Sequence, residues 1–126
     1  MVILDTCALL YWTTDPGKLT PRAWKAIAST DQISISSISI WEIGIKLKKR
    51  KLELPFTLEE FTRRVQNTNK VQLVPVTEQI WMKNLDLEWK HRDPADRTIV
   101  ATALLAGAPL ITSDLSIRKF YTKTIW

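Results

Sequence analysis

The sequence predicts an α/β fold of three layers, α/β/α, with a central parallel sheet of four to five strands. Three observations carry that expectation. Short apolar runs alternate along the chain with segments of helical period. The first run, Val2-Ile3-Leu4, is continuous in apolar residues, as a strand buried on both faces reads. The helical segments open on recognisable caps and close at Gly, Pro or Asp turns. Right-handed crossovers in such a sheet bring every strand's carboxyl end to one edge.

The elements follow in order. Val2–Leu4 is the first strand and ends at Asp5-Thr6; Cys7 to Trp12 reads as a short apolar helix. Asp15-Pro16-Gly17 marks a turn. Thr20-Pro21 reads as N-cap and first helical residue of a helix to Ser29, with Ala23, Trp24, Ile27 and Ala28 on its apolar side. Ile33-Ser34-Ile35-Ser36 alternates, as a second strand does. A helix runs from about Ser39 to Arg50, and Ser39-Ile40-Trp41-Glu42 fits a capping box with Glu42 at its third position. Leu54-Pro55 breaks the pattern, and Thr57 with Glu60 opens a helix to about Asn67. Val71 to Val76 is the third strand. Thr77 caps a helix from Glu78 to about Trp89 that carries Ile80, Trp81 and Leu85. Asp93 and Pro94 are the N-cap and first residue of a helix to Ala106, apolar enough in its later half to lie against the sheet, and Gly107 ends it. Pro109–Thr112 is the fourth strand. Ser116–Tyr121 is a turn of helix and Lys123–Trp126 a final short strand.

At 126 residues the chain reads as a single domain, 1–126, long enough to bury a core without metal or disulfide staples. Its lone cysteine, Cys7, allows no internal disulfide and fits a small core residue in a cytoplasmic protein. No leader-like segment and no membrane-length apolar run is visible. The formal net charge of +5 favours an anionic partner, nucleic acid or an acidic protein. Six tryptophans suit a core, base stacking or an interface, and composition does not choose among these.

Four carboxylates fall at comparable points of this topology. Asp5 and Asp114 follow the first and fourth strands; Glu42 and Asp96 fall in the first turns of helices. Each has a local reading: Asp5 as an N-cap, Glu42 in its capping box. As a set they can meet at the carboxyl edge of the sheet, where open α/β sheets bind ligands. Clustered carboxylates repel one another unless a cation sits among them. An all-oxygen donor set suits Mg²⁺ or Mn²⁺, and one Cys with one His cannot build a usual zinc site. A metal there can activate water or clamp a phosphodiester, chemistry that suits a basic protein. Thr6, Thr112 and Ser113 are supporting hydroxyls for such a site or merely satisfy turns. Asp93 reads as structural, His91 as a surface or loop residue rather than a base, and Arg97 as a surface salt bridge rather than a phosphate ligand. Lys46, Lys48, Lys49, Arg50 and Lys51 exceed what a helix C-terminus needs and are candidates for an anion-facing patch, nucleic acid among its partners, or a solvated helix end.

With those residues assembled, the chain resembles the PIN-domain ribonucleases, and among them the VapC-type toxins of toxin–antitoxin pairs. The resemblance rests on LDTCALLYW, SSISIWEIGIKLKKRKLELP and HRDPADRTIVATALLAGAPLITSD, in that order and over almost the whole length. It implies that Asp5, Glu42, Asp96 and Asp114 are the acidic metal-binding and catalytic set, with Thr6 and Thr112 or Ser113 as accompanying hydroxyls. Ala95 stands where an aromatic is common. The resemblance further implies a Mg²⁺- or Mn²⁺-dependent endoribonuclease in which metal-activated water cuts the phosphodiester, leaving a 5′-phosphate and a 3′-hydroxyl. A homodimer and inhibition by a small cognate antitoxin are implied as well. The alternative is a catalytically idle module of the same fold that binds partners through an apolar groove and its basic patch. A phosphotransferase working through Asp5 is disfavoured, because Cys7 stands where a second Asp is usual and no Gly-rich phosphate loop occurs.

Overall fold

The chain begins inside its own sheet: Val2–Leu4 is the central strand, and the rest is laid out on either side of it. The computed structural model describes all 126 residues, Met1–Trp126. Strands β1 (Val2–Leu4), β2 (Ile33–Ser36), β3 (Val71–Val74), β4 (Leu110–Ile111) and β5 (Thr124–Ile125) form one sheet in the order β3-β2-β1-β4-β5. Every pairing is parallel, and the register sets Leu4 beside Ile35 and Ile111. Seven helices cover it: α1 (Thr6–Thr14), α2 (Pro21–Ser29), α3 (Ser37–Lys48), α4 (Leu58–Gln66), α5 (Glu78–Asp86), α6 (Pro94–Ala106) and α7 (Leu115–Phe120).

Strand alternation divides the core in two. Val2, Leu4, Ile33, Ile35 and Ile111 face one layer, packed against Leu9, Ala23, Ile27, Ile43, Phe61 and Val65 of α1 to α4. Ile3 and Leu110 face the other, against Ile80, Ile99, Val100, Ala103 and Ile117 of α5 to α7. These are the three layers expected. Strand order reverses between β1 and β4, so the loops after those two strands open a crevice at the carboxyl edge. No helix is long and apolar enough to cross a membrane.

Several boundaries and faces differ from the sequence expectation. Helix α3 is capped by Ser36, whose hydroxyl accepts from Ile38 N, and not by Ser39. Ser39 is instead buried and accepts the Thr6 hydroxyl at 3.0 Å. Glu42 therefore lies in the second turn, with no capping duty. Helix α5 stops at Asp86 rather than near Trp89, because the Arg97 guanidinium takes the carbonyls of Asn84, Leu87 and Trp89. Trp24, Ala28, Trp41, Trp81 and Leu85, counted on apolar faces, are exposed, as are Leu104 and Leu105 in the last turn of α6. Once each layer is filled, a stripe of helix lies beyond its edge and nothing in the chain covers it.

Gly107 closes α6 in the left-handed region, at φ 61°. An added Cβ would touch nothing within 4 Å, so conformation is the whole cost. Gly107→Ala is expected to destabilise by about 1 kcal/mol. Urea midpoints measure this, and an unchanged midpoint would contradict it.

Candidate active site

The carboxyl edge of β1 and β4 holds a pocket of about 280 Å³. Asp5, Glu42, Asp96 and Asp114 all line it, together with Asp93. They arrive from four regions of the chain. Asp5 ends β1, Glu42 lies on α3, Asp93 and Asp96 open α6, and Asp114 follows β4. Thr6, Cys7, Ser113 and Lys46 complete the lining.

Three of these aspartates are also helix N-caps. Asp5 Oδ1 accepts from Ala8 N at 2.8 Å, Asp93 Oδ1 from Asp96 N at 2.9 Å, and Asp114 Oδ1 from Ile117 N at 3.0 Å. The capping reading and the site reading of Asp5 are thus compatible, because a carboxylate has two oxygens and a cap uses one. The positive ends of α1 and α6 also offset part of the mutual repulsion of the carboxylates.

The second oxygen of Asp5 accepts the Thr112 hydroxyl. Thr112 is wholly buried behind the pocket, and its oxygen accepts in turn from Asp114 N at 3.1 Å. One hydroxyl thereby ties Asp5 to the loop carrying Asp114. Thr6 and Ser113 line the pocket itself.

Burial, above all, pushes the Asp5 carboxyl up to about 6, against the lowering effect of Thr112 and Ala8 N; Asp96 and Asp114 add to the rise. Asp96 is pushed up to about 6 as well, by burial first, opposed by a hydrogen bond from His91, with the charges of Asp93, Glu42 and Asp114 adding to it. Five carboxylates face one ammonium, Lys46. This is a site whose anions are short of positive charge.

The carboxylate oxygens of Glu42, Asp93 and Asp96 lie within 4.8 Å of one another. Asp5 and Asp114 line the same pocket without belonging to that tightest group. An oxygen-rich set of this kind fits Mg²⁺ or Mn²⁺, hard cations that take carboxylates readily. With only the Cys7 thiol as a soft ligand in the lining, zinc is poorly served.

The sequence reading left three residues out of this site. Asp93, taken as structural, caps α6 and also faces the pocket. Its spacing from Asp96, three residues on one helix turn, was the available signal. His91 lies in a loop, but its Nε2 is 2.7 Å from Asp96 Oδ2, and the ring stacks on Trp89 at 4.5 Å. Nothing in loop periodicity foretold that contact. Arg97 forms no surface salt bridge, and its guanidinium is turned to the chain's own backbone. It donates to the backbone carbonyls of Asn84, Leu87, Trp89 and His91 and to Asn84 Oδ1. It clips the loop that presents Trp89, His91 and Asp93. Of the basic run, Lys46 lines the pocket, whereas Lys48, Lys49, Arg50 and Lys51 are exposed beyond it.

The raised carboxyls set a pH dependence. A group with a folded pKa above its unfolded value holds its proton more tightly when folded. The unfolded chain therefore binds fewer protons between about pH 4 and 6, and stability falls as pH rises through that window. Metal-free protein is expected to be less stable at pH 7 than at pH 5, on the order of 1–2.5 kcal/mol for Asp5 and Asp96 together, the share of the partly exposed Asp96 being reduced by solvent screening. Urea unfolding in chelator at both pH values reads this directly, and equal or greater stability at pH 7 would refute it.

Known proteins share this fold. The family described as "PIN domain" matches residues 2–123. The chain is 27% identical over 118 residues to Ribonuclease VapC22 of Mycobacterium tuberculosis, covering 93% of this chain and 89% of that protein. Among solved structures, a toxin–antitoxin complex from Klebsiella pneumoniae aligns over 100% of this chain and 97% of its own, with a TM-score of 0.70 and 22% identity. VapC20 of Mycobacterium tuberculosis, a toxin that cleaves the sarcin–ricin loop, aligns over 94% of each chain with a TM-score of 0.67 and 16% identity. VapBC2 from Rickettsia felis, bound to a fragment of promoter DNA, aligns over 96% of this chain and 94% of its own, with a TM-score of 0.69 and 15% identity.

Proposed function

The chain belongs to the PIN-domain family, and on that footing we propose that it is a metal-dependent endoribonuclease, the toxin of a toxin–antitoxin pair. The observation that carries this is the convergence of Asp5, Glu42, Asp96 and Asp114, with Asp93, on one pocket at the carboxyl edge of the sheet. The VapC-type ribonuclease relative and the toxin–antitoxin likenesses support it.

In this reading Asp5, Glu42, Asp96, Asp114 and Asp93 hold Mg²⁺ or Mn²⁺. Held there, such an ion would supply Lewis-acid polarisation of the phosphodiester and the activation of a water at neutral pH. The chain's own groups do the positioning. Thr112 and Ala8 N fix both oxygens of Asp5. His91 Nε2 lies 2.7 Å from Asp96 Oδ2 and fixes its rotamer; an ionised carboxylate only accepts, so the imidazole is the donor when Asp96 is charged. Lys46, the one cation in the lining, meets a non-bridging phosphate oxygen. Cys7 is no nucleophile: burial first, then the charge of Asp5, raises its thiol, so the thiolate is scarce at neutral pH. Hydrolysis at phosphorus then leaves a 5′-phosphate and a 3′-hydroxyl.

The exposed Trp24, Trp41 and Trp81 offer apolar surface to a small antitoxin or to a second copy of the chain in a homodimer. In this reading the protein acts in the cytoplasm, where a toxin's RNA targets lie. In the test, purified protein is incubated with single-stranded RNA in Mg²⁺, in Mn²⁺ and in EDTA, and the product ends are identified. Cleavage is expected with either ion, falling at least about a hundredfold in EDTA, beyond the loss typical for a disturbed metal shell. Equal cleavage in EDTA would defeat metal dependence. No cleavage of any RNA under any of these conditions would leave the idle binding module as the better reading.

A further inference from the structure

The acidic pocket is not the largest concavity beside α7. Two wider clefts, of about 730 and 490 Å³, run along that helix and share Ser116 and Lys119 in their walls. The outer one carries Arg118, Lys119, Thr122 and Thr124. The inner one carries Lys90, Lys119 and three rings, Trp89, His91 and Phe120. No Asp or Glu lines either cleft. The inner cleft ends at His91, which touches Asp96 of the acidic pocket.

The chemistry of this trough is the opposite of the pocket's. The chain's ion pairs are Lys18–Asp15, Glu60 with Arg63 and Arg64, and His91–Asp96. Lys90, Arg118 and Lys119 therefore have no carboxylate partner. Trp89 stacks on His91 at 4.5 Å and 20°, and on Phe120 at 4.8 Å and 12°. Cations that follow a backbone, beside aromatic rings on which bases stack, are how single strands are bound. A duplex keeps its bases stacked and gains nothing from the rings.

Resting on the nuclease reading, we propose that the trough along α7, from Arg118, Thr122 and Thr124 through Lys119 to the rings of Phe120, Trp89 and His91, binds the single-stranded RNA that flanks the scissile phosphate. Arg118 and Lys119 meet phosphates, the Thr hydroxyls meet phosphate or ribose, and the rings hold an unstacked base beside the acidic pocket.

The test uses full-length protein and a labelled single-stranded RNA of about 12 nucleotides, within the span such surfaces cover. Binding is measured in an Asp5→Asn background with Mg²⁺, and cleavage with Asp5 intact. Arg118→Gln/Lys119→Gln is expected to weaken binding about tenfold at 0.1 M salt and to flatten the slope of log K against log salt by about 1.4, near 0.7 per lost contact. With Asp5 intact, the same pair is expected to raise KM about tenfold, with kcat within about twofold. Arg22→Gln/Lys25→Gln on α2, which removes the same charge from another exposed face, is expected to change neither. Lys119→Glu is the second variant; its side chain is exposed and unpaired, so folding is not at issue. Wild-type binding by the α7 variants, or equal losses in the α2 and α7 pairs, would overturn the proposal. If the α7 variants bind and cut normally, the trough fails and the nuclease stands. If RNA binding depends on α7 but no Mg²⁺-dependent cutting occurs, the nuclease reading fails and the trough stands.

Discussion

Asp5→Asn is expected to abolish RNA cleavage, at least about a hundredfold, while the protein folds as stably as the wild type or more so at neutral pH. The two halves of that expectation have separate causes. Activity falls because an amide carries no charge for a cation. Stability holds because Asn is as good an N-cap as Asp, so the Ala8 N contact survives. The amide oxygen can still serve one donor, and the burial that pushes the Asp5 carboxyl up to about 6 no longer acts against a charge at neutral pH. In chelator the variant should match or exceed the wild type by up to about 3 kcal/mol, the worth of the raised pKa. Asp5→Ala makes the contrast, since it loses the cap as well and should be destabilised by about 1 kcal/mol relative to Asn. Cleavage rates and urea curves on the same preparations separate the effects. Asp5→Asn protein that cuts RNA at the wild-type rate would remove Asp5 from the chemistry.

The largest loss of stability is expected from a residue outside the acidic set. Arg97→Met keeps the aliphatic stem and removes every donor. The guanidinium serves four backbone carbonyls and one amide oxygen, two of them at 2.6 Å. Asn84 O ends α5 and Leu87 O accepts from Trp89 N, whereas Trp89 O and His91 O, in the loop that follows, have Arg97 as their donor. Asn84 is buried and also donates to Thr98 at 3.0 Å, so the clip is locked into the core. Leaving Trp89 O and His91 O without donors should cost about 2–5 kcal/mol, at about 1–3 for each group. Arg97→Lys should recover only part of this, because an ammonium cannot reproduce the planar fork. Cleavage should fall too, since the loop that presents His91 and Asp93 would loosen. An Arg97→Met protein within about 1 kcal/mol of the wild type would show that water satisfies these carbonyls instead.

Much of the molecule was legible in the chain. Thr20, Thr57, Thr77 and Asp93 were readable as caps because capping is local: a side chain three residues away accepts the N–H. Val2–Leu4 was readable as a strand because a continuous apolar run suits burial on both faces, and Ile33–Ser36 because it alternates. Asp5, Glu42, Asp96 and Asp114 were readable as a set because parallel topology sends strand ends to one edge, whereas Asp93 was read as a cap alone. Ser39 misled for the same local reason, since Ser36 offers an equal cap one turn earlier and Thr6 claims the Ser39 hydroxyl. Trp24, Trp41 and Trp81 also misled, because period alone does not say where a layer ends.

Sequence alone therefore determined the alternation of strand and helix, the caps and the placing of carboxylates at the ends of elements, all properties of residues within a turn of one another. Tertiary structure decided which oxygens remain for a cation, that Asp93 joins Glu42 and Asp96, that Arg97 ties down a loop, and that α7 borders a basic, ring-lined trough. Those relations join residues many positions apart, and packing of the two layers on the sheet sets their distances.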